Sequence, residues 1–533
     1  MHGNRKAFQT KSSFCQILLT TLVIMSDQIH IPPENKLFTV AQSREADRFT
    51  IDEFGIDGFT LMEQAASGAA EIIRKEAGIS KKGLFICGKG NNGGDALAAA
   101  RYLSEQSGHS IHVWMCMGSE NLSADAEKNL KLIHKLIGYQ SNITILDSSP
   151  FNDPEENNYD YIVDGIFGSG LTDDVREPVA GIIEKINDSG LPVFAMDIPS
   201  GLDADSGLIR GVCVQGSHTI TFGTVKIGFY LNGSDKVTGQ VHLVPLPFPE
   251  YGMTYDSVLI NNRLESTIPA IDRKAEHKYD DGVVHIIAGS KGLTGAAIMA
   301  AKSAWKSGAG AVILYTTENL LQIYEKNLPQ IIKKTVGNPS DDQFKPGHAE
   351  EILSSVLSKP GVVLAGPGMG TDSETRKFLT ELLERYSGPL ILDADALAGF
   401  DELKDISSEQ KKNWILTPHI GEAVNYLGMV FDKENDSERL AAAVKFSEKF
   451  ECSIVLKGNP TFLIHYGNKK YITGYDTSPF TRAGFGDVLS GTISANLGIT
   501  HNIPVSVVQA LLSGHQKYNQ LAEDDVFGPE HLT

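Results

Sequence analysis

Short apolar runs alternate with longer segments carrying apolar residues at helical spacing through most of this chain. In the first half, "LFIC", "IHVWMCM", "ITIL", "YIVDGIF" and "PVFAMD" read as strands, and 95–107, 122–137 and 177–188 read as helices between them. Strands separated by helices imply βαβ units and a mostly parallel sheet. From about 245 to 280 the alternation lapses into the proline-rich "PLPFPEYG" and the charged "RKAEHKYDDG". A second block restarts with "GVVHIIAGS" as a strand and "TGAAIMAAKSAWKSGAG" as an Ala-rich helix. It continues through the strands "AVILYTT", "GVVLAGPGMG", "PLILDADAL" and "SIVLKGN", and a late helix is predicted to begin at Gly486 or Asp487. There is no fixed-period repeat, low-complexity tract or heptad run. The expected organisation is therefore α/β in two domains: an extension over 1–26, a first domain over 27–250, a linker over 251–276 and a second domain over 277–533.

Charge and cysteine usage narrow the function. Lys and Arg total 47 against 66 Asp and Glu, a net charge of −19, so no basic face is offered to a nucleic-acid backbone. An anionic small ligand is still permitted, because backbone N–H groups at a helix start outweigh net charge locally. The cysteines at 15, 87, 116, 213 and 452 form neither a zinc knuckle nor a C-x-x-C pair. Cys87 and Cys116 read as buried small hydrophobes, and the scattered set suits a reducing, cytoplasmic compartment. "MHGNRKAFQTKSSFCQILLTTLVIM" places Arg5, Lys6 and Lys11 before an apolar run from Phe14 to Met25. That run is too short to cross a bilayer and lacks a small-residue cleavage site, so it reads as a dispensable extension, with Met25 as the functional start and no membrane partner.

Candidate chemistry in the first block centres on "GKGNNGGDALAAAR". Gly88, Gly90 and Gly93 satisfy the dinucleotide spacing G-x-G-x-x-G. The acid that should follow at the end of the next strand is missing: position 113 is Val, and Glu120 lies beyond a Gly-Ser. Asn91, Asn92 and Asp95 instead crowd the mouth of the helix with oxygens, which suits a cation or a polar ligand gripped from several sides. Taken alone, the segment also reads as an Asp N-cap among turn-forming residues. "VDGIFGSGL" ends a strand at Asp164, and "AMDIPSGLDADSG" does so with Asp197 and Ser200. Ligands of open α/β sheets bind outside the carboxyl ends of strands, so the three segments should converge on one crevice.

With "KIG" at 226–228, these segments resemble the NAD(P)H-hydrate epimerase domain from about 35 to 248. The resemblance implies a Rossmann-like three-layer αβα sandwich that interconverts the R and S forms of hydrated NADH or NADPH. It implies a K⁺ ion held by Asn92, Asp164 and Ser200, and Asp197 as a catalytic and substrate-binding residue. Further substrate contacts are implied from Asn91, Asn92, Gly93, Gly94, Asp95, Gly168, Ser169, Gly170, Leu171, Thr172, Asp173 and Asp174. Ala96 departs from the glycine usual in the family, with little expected effect. A non-catalytic binding module would have no need of Asn92, Asp164, Asp197 and Ser200 together.

In the second block "TRAGFGDVLSGTISA" sets Gly484, Gly486 and Asp487 at a helix start. Backbone N–H groups there can stabilise a transferring phosphoryl group, and the carboxylate can accept the proton of an attacking hydroxyl. Read alone, the same residues make a tight loop with an Asp N-cap. Together with "GSKGLTGAA", "GPGMG", "LDADAL", "TPHIGE" and "LKGNPT" they resemble the NAD(P)H-hydrate dehydratase of the ribokinase-like superfamily, over roughly 277 to 520. The resemblance implies phosphorylation of the added hydroxyl by ADP or ATP followed by loss of phosphate, with Mg²⁺ serving the nucleotide. Ala296, Gly370, His419 and Asp487 should contact the hydrate, with Asp487 catalytic. Lys457, Gly458, Asn459, Pro460, Thr461 and Gly486 should contact the nucleotide. Without its neighbours His419 would read as a surface turn residue. Many bacterial members have "NPGMATAGTGD" where this chain has "TSPFTRAGFGD": Phe485 replaces a small hydroxyl residue and Arg482 adds a charge, which bears on nucleotide choice. The fused layout resembles the bacterial branch, which implies ADP as the nucleotide, giving AMP and phosphate; a homo-oligomer is expected. The competing reading is a ribokinase-type small-molecule kinase with an accessory domain.

Overall fold

The computed structural model describes residues 30–106, 108–139, 141–152, 158–269, 281–467, 469–521 and 526–533. The 1–26 extension, Cys15 and Met25 lie outside the described residues. The chain folds as two compact units: Pro33–Leu259 joined by Phe431–Ala441, and Ile260–Val430 with Ala442–Thr533.

The first unit is built on seven strands: β1 (Lys82–Cys87), β2 (Ser110–Met115), β3 (Ile143–Leu146), β4 (Tyr161–Gly165), β5 (Val193–Met196), β6 (His218–Phe222) and β7 (Gln240–Val244). Their order is β3-β2-β1-β4-β5-β6-β7, and every neighbouring pair is parallel. The sheet is doubly wound, which is why its strands read as continuous apolar runs: both faces are covered. From β1, Phe85 and Cys87 pack with Ala66, Ala69, Leu97 and Leu130 of helices Gly58–Ala77, Asn91–Gln106 and Ala124–Ile137. Leu84 and Ile86 pack on the opposite face with Ile182, Ile183 and Ile186 of helix Val179–Asp188. The helix expected over 95–107 begins earlier, at Asn91, so "NNGG" forms its first turn. Within the 251–276 stretch, Ser257–Ile260 is a strand pairing antiparallel with Lys36–Phe38.

The second unit carries β8 (Val283–Ile287), β9 (Ala311–Thr316), β10 (Ile332–Thr335), β11 (Val362–Ala365), β12 (Leu390–Leu392), β13 (Trp414–Leu416), β14 (Ser453–Leu456), β15 (Phe462–Ile464) and β16 (Lys470–Thr473). They run β10-β9-β8-β11-β12-β13-β14-β15-β16, parallel as far as β14 and antiparallel over the last two. The Ala-rich helix Thr294–Lys306 crosses helix Phe485–Thr500 at close range. Ser303 donates to the Val488 carbonyl at 2.6 Å, and a Cβ on Gly491 would stand 2.3 Å from the Ala300 oxygen. That crossing fixes where the second helix begins.

Cys87, Cys213 and Cys452 are buried free thiols and Cys116 is half-buried; burial pushes the last three up to about 12. Among the described residues no helix is long and apolar enough to cross a membrane.

Candidate active site

The first crevice forms where β1, β4 and β5 end. The glycines of its loop serve close packing: a Cβ on Gly88 would lie 2.0 Å from the Ile166 oxygen, and one on Gly93 would lie 2.1 Å from the Gly88 oxygen. Asp95 falls in the second turn of helix Asn91–Gln106, so the N-cap reading of that residue is set aside.

Asn92, Asp164 and Ser200 come together. The Ser200 hydroxyl donates to Asp164 Oδ1 at 2.7 Å, and the Ser200 and Ile166 N–H groups donate to the same carboxylate at 2.8 and 3.1 Å. Asn92 Nδ2 donates to the Phe167 carbonyl at 2.8 Å, leaving Asn92 Oδ1 buried without a partner. Asp164 is fully buried and, among the described residues, pairs with no cationic side chain. Burial pushes its carboxyl up to about 6 against the pull of those donors. A buried carboxylate, a serine hydroxyl and an unsatisfied amide oxygen form an all-oxygen set, as a hard cation requires.

A cavity of about 1040 Å³ opens above them. Asn91, Asn92, Asp95, Gly168, Ser169, Gly170, Leu171, Thr172, Asp173, Asp174 and Asp197 line it; Gly93 and Gly94 do not. Gly94 faces protein, with Met62 and Ala126 within 3.3 Å of its would-be Cβ. Asp197 sits at φ +61°, a left-handed backbone uncommon for a non-glycine residue and frequent at functional sites. Its Oδ1 accepts from Lys226 Nζ at 2.6 Å, and Thr221 and the Thr224 carbonyl hold the same ammonium. Asp47 and Asp95 share this field. Burial pushes Asp47 up to about 6, and burial with the Asp197 and Asp47 charges pushes Asp95 up as well.

The second crevice lies at the ends of β12, β13 and β14. Asp393 Oδ1 accepts from Lys457 Nζ at 3.0 Å and from the Thr417 hydroxyl at 2.7 Å, while its Oδ2 is buried without a partner. Gly366, at φ +126°, makes this approach possible, since a Cβ there would meet the Asp393 carbonyl at 1.7 Å. Helix Phe485–Thr500 starts after Gly484 at φ +98°, one residue before the expected start. Asp487 is therefore its third residue and not a cap. The first long helical bond is Val488 N–H to Gly484 O at 3.1 Å, so the Gly486 and Asp487 N–H groups precede the bonded ladder. Burial, then the Asp393 charge, raises the Asp487 carboxyl to about 7 while Lys457 pulls the other way. Burial opposes the charge on Lys457, but Asp393, Glu422 and Asp487 hold its pKa above the ordinary lysine value.

His419, Lys457, Gly458, Thr461, Gly486 and Asp487 line one cavity of about 530 Å³. His419 also caps helix Ile420–Asn425 through its ring, with Glu422 bonding back to its N–H. Ala296, Gly370, Asn459 and Pro460 do not line this cavity. Gly370 N–H donates to Asp395 at 3.0 Å, and Asn459 Nδ2 donates to Asp476 at 2.8 Å.

Residues 58–228 match the family model described as YjeF-related protein N-terminus, and 284–525 match NAD(P)H-hydrate dehydratase. A bifunctional NAD(P)H-hydrate repair enzyme of Salinibacter ruber is 32% identical over 481 residues, covering 85% of this chain and 86% of that protein. The enzyme of that name from Escherichia coli is 30% identical over 460 residues, covering 85% and 84%. The chain belongs to the bifunctional NAD(P)H-hydrate repair enzyme family. Among solved structures, an ADP/ATP-dependent NAD(P)H-hydrate dehydratase from Bacillus subtilis superposes with a TM-score of 0.40 at 22% identity, covering 50% of this chain and 90% of that one.

Within this two-site repair chain, sequence reasoning passed over Asp47, Lys226, Asp393 and Glu422. Lys226, Asp393 and Glu422 stood inside quoted motifs without a role; a lysine set between Val225 and Ile227 was the signal for the first. Asp47 lies in a polar helix, Val40–Arg48, where nothing marks one acid from another.

Proposed function

We propose that the chain returns hydrated NADH and NADPH to the reduced cofactors. In the first unit R and S hydrates interconvert at the Asp197–Lys226 pair. Inverting the hydroxyl-bearing carbon requires a bond at that carbon to break and re-form. With the hydroxyl proton removed, the carbon–nitrogen bond opens to an aldehyde and its electron pair goes to nitrogen; the nitrogen then re-adds to the other face as the proton returns. Among the described residues, the Asp197–Lys226 ion pair brings a carboxylate and an ammonium to this cavity. The Asn92, Asp164 and Ser200 oxygens would hold K⁺ near the Gly168–Asp174 loop, where a bound cation would supply the counter-charge that Asp164 lacks among the described residues.

In the second unit the hydroxyl of the S hydrate attacks the terminal phosphoryl of ADP. Asp487 takes the hydroxyl proton, the phosphoryl–oxygen bond of ADP breaks, and AMP leaves with that electron pair. The phosphorylated carbon then loses phosphate, and the adjacent hydrogen leaves as a proton to restore the ring double bond. Lys457 and the Gly486 and Asp487 N–H groups face the developing phosphoryl charge. Among the described residues no group of three or more His, Cys, Asp or Glu is arranged as a metal cage, so Mg²⁺ would be held chiefly by the nucleotide's phosphates, whose charge it would offset.

The observation carrying this reading is that Asp487, third residue of a helix start, lines one cavity with Gly486, Lys457 and His419. Mixed R and S hydrates supplied with ADP or ATP should regain reduced-nicotinamide absorbance with one phosphate released per turnover. A stable phosphoester accumulating without absorbance recovery would instead establish a small-molecule kinase.

A further inference from the structure

Phe485 lies between the two glycines of the phosphoryl-facing loop; it borders the Asp487 cavity, and its side chain is buried against protein. It is buried with Val488, Phe527 and Leu532, and Met299, Phe480 and Leu521 pack around them. Ring centroids are 4.9 Å apart for Phe485–Phe527, 5.3 Å for Phe480–Phe527 and 5.0 Å for Tyr518–Phe527. Phe527 is thus the hub through which the 526–533 segment meets both sides of the loop. Polar contacts repeat the attachment: Arg482 Nη1 donates to the Phe527 carbonyl at 2.9 Å, Lys517 to the Leu532 carbonyl at 3.2 Å, and Lys306 to the Thr533 carbonyl. Gly484 itself is boxed in. A Cβ there would stand 2.7 Å from Met299 Sδ and 3.0 Å from Pro529 Cγ.

We propose that the 526–533 segment is a positioning strap for phosphoryl transfer, acting through Phe527 on Phe485 to set the Gly484–Asp487 backbone. The inference rests on reading the Asp487 cavity as the phosphoryl-transfer site. N–H groups stabilise a transferring phosphoryl only when held in place beforehand, and Gly484 and Gly486 are the residues least able to hold themselves. Aromatic packing from outside the loop supplies that rigidity, and Phe527 does so without lining the Asp487 cavity.

Phe527→Ala in the full chain should lower kcat for S-hydrate dehydration by about 10–100-fold, the scale of an ångström-level misplacement. Nucleotide KM and R–S interconversion should change little, and amide exchange should quicken across 484–488. Phe527→Leu, which refills the apolar volume, should restore most of kcat. In a Phe485→Ala background Phe527→Ala should add almost nothing. A folded Phe527→Ala with unchanged kcat and unchanged loop exchange would overturn the strap, and so would losses at 485 and 527 that multiply independently. If the unmodified chain does not consume nucleotide with the hydrate, the phosphoryl-transfer reading fails, while loop exchange still reports on the strap.

Discussion

Asp487→Asn separates catalysis from stability in a way that few substitutions would. In the fold the carboxyl is raised to about 7, against 3.8 for an ordinary aspartate, by burial and then by Asp393. Because the folded value lies above the unfolded one, the native state binds more protons between those values, and this group's contribution to stability falls as pH rises from about 4 to about 7. The ceiling on that loss is about 4 kcal/mol, at 1.36 kcal/mol for each tenfold change in proton affinity. Water in the cavity and the effective dielectric near buried charges reduce it to about 1–2 kcal/mol. Asparagine has nearly the same shape and no charge, and since Asp487 is not a cap, no capping bond is lost.

The variant should therefore be more stable than the parent at pH 8, by about 1–2 kcal/mol on that reasoning, and match it near pH 4. Dehydration should fall by about 10²–10⁴-fold, the usual worth of a general base. For the parent, kcat/KM should rise with pH through about 7, where burial and Asp393 hold the Asp487 carboxyl, and the variant's residual rate should be flat there. Nucleotide affinity should hold or improve, because Lys457 remains and a negative charge is gone. The assays are thermal unfolding of both proteins at two pH values, and phosphate release across pH. A variant that turns over at near-parental rate, or that is less stable than the parent at pH 8, would refute the reasoning.

Asp164→Asn should remove both epimerisation and its dependence on K⁺, read as R-to-S conversion with K⁺ exchanged for a larger organic cation, and leave dehydration of pure S hydrate intact. Lys226→Met strips Asp197 of its buried partner and should destabilise the first unit by about 3–5 kcal/mol in denaturant unfolding. Adding Asp197→Asn should recover much of that stability without recovering interconversion. Asp393→Asn frees Lys457 and removes a charge that raises Asp487, so the rise of dehydration rate with pH should move to lower pH; an unmoved profile would discount that coupling.

The alternation of apolar runs was enough to read two α/β units, because a parallel sheet covered on both faces leaves its strands as unbroken apolar stretches. Strand ends and helix starts marked Asp164, Asp197 and Asp487 for the same reason: an acid at such a place is conspicuous against its neighbours. The helix start at Asn91 was harder to see, since Gly93 and Gly94 lower helix propensity and hide a first turn that packing against β1 and helix Ala124–Ile137 enforces. The Lys226 and Asp393 roles depend on pairings 29 and 64 residues away in sequence, which no local pattern encodes. Phe485 was legible as an oddity of the loop; its partner Phe527, beyond an intervening helix, was not.

The two crevices treat their carboxylates in opposite ways, and the difference follows from where the nearest lysine is tied. Lys226 donates directly to Asp197, so that carboxylate faces its cavity as half of a fixed pair, and the charge left unanswered is Asp164, near the loop and among oxygens. Lys457 donates to Asp393 instead, which keeps the lysine near Asp487 without neutralising it. A site that must move a proton in both directions gains from an acid and an ammonium already in contact. A site that must take one proton at the moment of phosphoryl transfer gains from a half-buried carboxylate, crowded by another acid, and poised near neutral pH. On the proposed roles, the lysine's tether sets which kind of base each crevice offers.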